Sequence, residues 1–269
     1  MKKIPFVPVN LPISNIDMNS ISLNLSAADS KLGEFNAHLK LSKAGNPNAL
    51  HQLLSMESLY STRIEGTQTT LTEVFEAEED KIQGRNTNEQ SIIEVLHYKD
   101  AINLGSNMVK NGDPISSRLI KAIHKELLSG SKTRKNSRFI PGEYRTQQNI
   151  VGIHVPPIAA NVEYHMSNLE NYINAVPGYE DNLPILVKTA IIHAQFETIH
   201  PFPDGNGRVG RVLIPLYLYR NKKISNPYFF ISKTLEERKY EYYRYLQETR
   251  SKSKDGFINW INFFLSAVE

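Results

Sequence analysis

The stretch from Leu183 to Ile199 is the longest apolar run of the chain and carries Lys188, His193 and Glu197 as its titratable residues. It is too long for a strand, and its charges keep it from being a bilayer span, so it reads as a buried core helix. Helical patterning continues on both sides. Apolar residues recur at helical spacing over 46–65, with Leu50, Leu53, Leu54 and Ile64, and Gly66 stands where such a helix would close. Thr70-Leu71-Thr72-Glu73 has the spacing of a capping box and opens a helix to about Lys81. Further helices are expected over 88–110, 114–128, 161–175, 207–220, 235–250 and 257–267, and the first begins near Ser26. Residues 1–25, rich in Pro and Asn, predict an extended arm laid along the domain. One short segment has a different texture: Asn149-Ile150-Val151-Gly152-Ile153-His154-Val155 is β-branched and followed by Pro156-Pro157, which predicts a hairpin. The expected fold class is all-α with one small β-hairpin flap.

Composition removes several function classes. The chain has 269 residues and no cysteine, which excludes disulfides, thiolate metal sites and a cysteine nucleophile. That suits a reducing cytoplasm, the expected location. A net charge of +3 is too small to argue for nucleic acid or a membrane surface. The basic cluster Lys132, Arg134, Lys135 and Arg138 adjoins no recognition-helix pattern, so no nucleic-acid partner is expected. Pro5, Pro8 and Pro12 break any signal-peptide core after Met1-Lys2-Lys3, and no membrane partner is expected.

The chemistry is concentrated in His200-Pro201-Phe202-Pro203-Asp204-Gly205-Asn206-Gly207-Arg208-Val209-Gly210-Arg211. Residues before proline avoid the α region, so His200 should be lifted off the end of the preceding helix. Gly205 and Gly207 let the backbone approach a ligand and turn successive N–H groups into one concavity. The helix that starts there adds its positive end, which suits an anion such as phosphate. Arg208 and Arg211, three apart, can reach the same polyphosphate, Asp204 suits Mg²⁺ between phosphates, and His200 is a candidate general base. Two other patterns fail. Gly205-x-Gly207-x-x-Gly210 matches the dinucleotide fingerprint in form but follows a helix, with no acid between Arg211 and Leu235. His193, Glu197 and His200 have metal-ligand spacing on a helix, but Pro201 turns His200 away and His193 is expected to pack inside.

The loop resembles, over its whole length, the signature of Fic-domain proteins, which mostly transfer AMP from ATP to hydroxyl side chains of proteins. The resemblance extends to the Pro-Gly-Glu-Tyr-Arg run ending at Arg145 and to Asn149, Ile150, Val151 and Gly152, which look like the flap that covers the nucleotide. Tyr242 and Tyr243 resemble the paired tyrosines of the nucleoside pocket, although Arg250 stands where some members carry asparagine. Ser61-x-x-x-Glu65-Gly66 is similar to the family's inhibitory motif, on the N-terminal side of the core.

The resemblance implies a Fic catalytic core over 111–269, with its flap at about 145–157 and its loop at 200–211. Before it come an arm and first helix over 1–45 and a helical region over 46–110 that includes an inhibitory helix at about 46–66. It further implies His200 as the catalytic base, and a phosphate site made of Asp204, Gly205, Asn206, Gly207, Arg208, Gly210 and Arg211. Mg²⁺ on Asp204 is the cofactor it implies, ATP the substrate, and a protein hydroxyl on Ser, Thr or Tyr the acceptor, the chain itself included. Relatives that phosphorylate carry Lys at the position of Gly207, so glycine favours AMP transfer. The protein target and oligomeric state stay open, a homodimer among the possibilities, and a nucleotide-sensing module with little transfer is the competing reading.

Overall fold

The computed structural model describes residues 4–14, 16–41, 47–85, 87–129, 140–251 and 255–269. They form α1 (Ser22–Leu41), α2 (Pro47–Ile64), α3 (Leu71–Ile82), α4 (Gln90–Lys110), α5 (Ser117–Leu127), α6 (Val162–Ile173), α7 (Ile185–Ile199), α8 (Asn206–Arg220), α9 (Ser232–Glu237), α10 (Lys239–Glu248) and α11 (Gly256–Val268). The basic cluster at 132–138 lies outside the described residues.

Helix α7 is the centre of the molecule. Every residue from Leu186 to Ile199 is buried, because α1, α6, α8, α10 and α11 all pack around it. Its three titratable residues are therefore placed with care. Lys188 pairs with Asp181 at 2.8 Å. His193 bonds through Nδ1 with the Gly210 carbonyl and through Nε2 with the Tyr242 hydroxyl. Both ring nitrogens are thereby used within the core, which removes His193 as a metal ligand. Glu197 faces the functional site. No helix is long and apolar enough among the described residues to cross a membrane.

Local signals set the helix ends. Thr70 and Glu73 form the reciprocal capping box that opens α3. Helix α2 closes with Thr67 N–H on the Thr62 carbonyl and Gly66 N–H on the Arg63 carbonyl, a Schellman ending that leaves Glu65 on the last turn. The helix expected over 235–250 starts earlier, at Ser232, and is broken in two at Arg238. Glu57 in α2 accounts for the early start. Its buried carboxylate accepts from the N–H groups of Ile231 and Ser232, at 3.1 and 3.0 Å, and from the Ser232 hydroxyl. The break coincides with a fork from Arg238 onto Glu241 and a bond to Ser266.

The flap corrects the sequence reading, because no strand is found among the described residues. Val151 and His154 exchange both backbone hydrogen bonds at 2.9 Å around a tight turn, and the ladder stops at that one bridge. The next bonded pair would join Asn149 to Pro156, which has no N–H to give. The Gln148 amide takes the Pro156 carbonyl instead, at 2.8 Å. The N-terminal arm runs beside this turn: Phe6 N–H donates to the Val155 carbonyl, Gln195 to the Val9 carbonyl, and Asn168 brackets Leu11.

Glu57 ties α2 to both α9 and α4, since Tyr98 also reaches it. Replacing it with alanine strands four donors in the core, and should lower unfolding stability by roughly 2–4 kcal/mol. Urea unfolding of Glu57→Ala against the parent measures this. An unchanged midpoint would show that the site is not a structural tie.

Candidate active site

His200 ends α7 in the left-handed conformation, φ 48° and ψ 62°, with its N–H still on the Phe196 carbonyl. A non-glycine residue there is strained, and Pro201 prevents the helix from continuing. The turn is held by Arg145, a buried residue that the sequence showed only as the end of a motif. Its N–H donates to the Pro201 carbonyl at 2.9 Å, and its guanidinium to the carbonyls of His200, Gln147 and Pro157, at 2.9, 3.1 and 2.5 Å. One side chain thus binds the loop to the flap. Asn149 adds a second tie, donating to the carbonyls of Phe202 and Pro203.

The other end of the loop is closed by Asn206, whose amide both accepts from and donates to the Phe202 backbone, each at 2.8 Å. Asn206 therefore points inward, with its N–H left at the start of α8. Gly205 has φ +76° and lies against His124, so a side chain there would be strained. His124 is a residue that sequence reasoning missed. Its Nδ1 accepts from Gly142 N–H at 2.8 Å, which assigns the proton to Nε2, and Nε2 donates to the Asp204 carbonyl at 3.0 Å. The ring stacks on Phe202 with centroids 3.8 Å apart. Its partners are backbone groups far along the chain, and no spacing announces them.

Beyond this turn lie the two arginines. Arg208 is buried between Glu94 at 3.8 Å and Asp204 at 3.9 Å, and its Nε has no hydrogen-bond partner. Arg211, 1% exposed, is fully engaged with α2: Nε donates to the Ser61 hydroxyl at 2.7 Å, and a terminal nitrogen to the Ser61 carbonyl at 3.0 Å and Glu65 Oε1 at 2.5 Å. Burial alone would lower the Arg211 pKa, but the charge of Glu65 outweighs it and holds the guanidinium above its ordinary value. Burial likewise works against the Glu65 charge, and the Arg211 cation overcomes it, so Glu65 stays ionised. Glu65 keeps 36% of its side chain exposed, and solvent screens part of that attraction. Gly207 makes the approach possible, since a Cβ there would strike the Glu65 carboxylate.

A cavity of about 720 Å³ opens beside His200, walled by Val151, Gly152, Glu197, Tyr243, Leu246 and Arg250. Of the sequence-predicted residues, Val151, Gly152, His200 and Tyr243 line it, and Asn149, Ile150, Tyr242 and the loop residues from Asp204 to Arg211 do not. Tyr242 is enclosed in the core against His193 and Trp260, whereas Ile150 is on the outer side of the flap, 58% exposed. Asp204 keeps its side chain 55% exposed. One oxygen takes Gly205 N–H, and the other, 3.9 Å from the Arg208 guanidinium, is a hard donor beside the helix terminus, which fits Mg²⁺.

Two family models match this chain: Fic/DOC family over residues 114–218, and Fic/DOC family N-terminal over 23–107. The chain belongs to the Fic/DOC family. Among curated Fic relatives, the protein adenylyltransferase Fic of Culex quinquefasciatus is 28% identical over 81% of this chain and 41% of its own length. A probable protein adenylyltransferase of Aquifex aeolicus is 26% identical, over 64% and 50%. The chain spans about two fifths of the length of the first curated relatives it matches. A crystal structure of a Fic family protein from Desulfovibrio desulfuricans has the same fold, with a TM-score of 0.72 at 24% identity, covering 97% of this chain and 74% of that one. Fic-1 of C. elegans gives 0.66 at 21% identity, covering 92% and 70%.

The Fic site is dense in neutral histidines. Burial, the largest cause in each, lowers His124 and His154 to about 4, and His193 and His200 to about 3, from 6.5. The unfolded chain therefore binds more protons between about pH 4 and 6.5, so these rings contribute stability that is complete above that window and lost as pH falls through it. Glu197, raised to about 7 by burial, and Glu57, also raised by burial, act in the opposite direction but are outnumbered by the four rings. Urea midpoints should fall clearly between pH 6.5 and 4.5, and a flat profile would contradict the buried neutral assignment.

Proposed function

We propose that this chain transfers AMP from ATP to a Ser, Thr or Tyr hydroxyl of a protein, itself among the acceptors, and is restrained in cis by Glu65. The observation that carries the reading is what the short connection from α7 to α8 holds together: a neutral His200 lifted off its helix beside the cavity, a glycine turn opening α8, and two buried arginines at the start of α8. An anion site next to an unprotonated base serves transfer at phosphorus, whereas binding alone has no need of the base.

In this reading the phosphates occupy the turn from Gly205 to Arg208, whose N–H groups and helix terminus carry positive potential. The free Nε of Arg208 is a donor waiting for an acceptor. Asp204 would hold Mg²⁺, which when bound would neutralise phosphate charge. His200 takes the proton of the incoming hydroxyl as its oxygen bonds to the α-phosphorus. The bond to the bridging oxygen breaks, and pyrophosphate leaves with the electron pair. Arg145 and Asn206 keep the loop in shape, so most of the acceleration comes from positioning and charge stabilisation. Val151 and Gly152 of the flap and Tyr243 enclose the nucleoside side of the cavity.

Glu65 occupies the guanidinium fork that a terminal phosphate would use. While it stays, ATP cannot place its γ-phosphate there, and the α-phosphorus is out of line with the hydroxyl. If about 1% of molecules are open, release can raise transfer by at most roughly 100-fold, about 2.7 kcal/mol. With radiolabelled ATP, Glu65→Gly should increase incorporation, and Arg211→Ala or His200→Ala should abolish it even in that background. No gain from folded Glu65→Gly would remove the restraint, and incorporation that survives His200→Ala would remove the mechanism.

Asp204→Ala should cut transfer by on the order of 100-fold or more while weakening nucleotide binding much less, since the turn still offers its N–H groups. Binding titrations beside rate measurements separate the two effects. A near-parental rate without Asp204, or without divalent metal, would contradict this role.

A further inference from the structure

Glu197 stands behind His200 on the last turn of α7. Its Oε2 lies 4.0 Å from His200 Nδ1, and both residues face the same cavity. The other oxygen, Oε1, is buried without a hydrogen-bond partner. A carboxylate left so is costly, and such orphans in a cleft mark function. Its space is kept open by Gly210, where a Cβ would collide with Oε1. The nearby cations are engaged elsewhere: Arg211 with Ser61 and Glu65, and Arg250 with Thr198 at 3.2 Å. Among the described residues, the ion pairing of Glu197 is with His200.

We propose that Glu197 is the positioning residue of His200, its carboxylate being the counter-charge that lets the imidazole accept the hydroxyl proton. The inference rests on the AMP-transfer reading above. His200 lies among groups that oppose a second positive charge. Burial is the main one, followed by Arg250, His154 and Arg145, and together they lower the ring to about 3. Such a ring is a weak base unless a negative charge meets the imidazolium as it forms. Glu197 meets it from the Nδ1 side, leaving Nε2 for the proton. Glu197 is itself faced by Arg211 from α8, Glu65 from α2, Tyr242 and Tyr243 from α10, and Arg250 just past α10. Burial sets the balance and holds its carboxyl up to about 7. Only the ionised form assists, so transfer rises as pH increases through about 7 and is lost below.

Glu197→Gln keeps the size of the side chain and removes the charge. Placed in the Glu65→Gly background, it should lower kcat by on the order of 10- to 100-fold, leave KM for ATP unchanged, and flatten the acid limb near pH 7. Glu197→Asp should retain that limb at a reduced kcat. A parental kcat and limb in Glu197→Gln would overturn the proposal, and so would a loss of rate with the limb intact. A second readout needs no transfer. In ¹³C-histidine NMR of the nucleotide-free protein, with His200→Ala as the assignment control, the parent His200 signal should sense the step near pH 7. Glu197→Gln should erase that step and lower the pKa of the ring. Identical titrations would overturn the coupling even if transfer were observed, and altered ones would uphold it even if the AMP-transfer reading failed.

Discussion

Arg211 is a guanidinium taken almost wholly out of water at the start of α8, and the site is arranged around satisfying it. A buried cation is tolerated only with partners in good geometry. Here its hydrogen bonds come from the end of α2, through the hydroxyl and carbonyl of Ser61 and the carboxylate of Glu65. Helix α2 cannot drift, because Glu57 holds it to the start of α9 and Tyr98 meets it from α4. The Schellman ending at Gly66 then fixes how far the last turn projects. The bonds that hold the arginine thus follow from the packing of α2 against α8, with no added device.

The loop between α7 and α8 is shaped by a different means. Its peptide groups are bonded by residues that arrive from elsewhere: Arg145 through its side chain on the His200 carbonyl and its backbone N–H on Pro201, His124 on Asp204, Asn149 on Phe202 and Pro203. Such a loop has few conformations, and the strain at His200 persists because the surroundings over-determine it. Arg145 does further service, since its reach to the Pro157 carbonyl makes the position of the flap depend on the loop.

Much of this was legible in the sequence because it is local. Capping residues and apolar spacing gave the helices to within a few residues, and the dense run from His200 to Arg211 identified the site and even the lifting of His200. The family resemblance singled out Ser61 and Glu65 as a motif, and the structure shows both of them on Arg211. What was hidden is non-local. The break at Arg238 involves Ser266, the early start of α9 depends on Glu57, and the part played by His124 depends on Gly142 and Asp204, none of which is a periodic feature. The flap misled for a simpler reason: β-branched residues argued for strands, but Pro156 removes the donor that a second bridge needs. Tyr242 looked like its neighbour Tyr243, yet adjacent helical residues face about 100° apart, and one of them belongs to the core.

These hidden contacts also decide how the molecule divides. Arg208 faces Glu94 of α4, and Glu94 also accepts from the Thr67 hydroxyl just past α2. A carboxylate of the N-terminal region therefore stands beside a buried arginine of the candidate site and holds the segment that follows Glu65. Arg211 makes the same connection from the other side through Ser61. Two arginines three residues apart on α8 thus depend on two different helices of the preceding region, and separating that region from the core would expose both buried cations. Desolvation makes the N-terminal helices part of the active site.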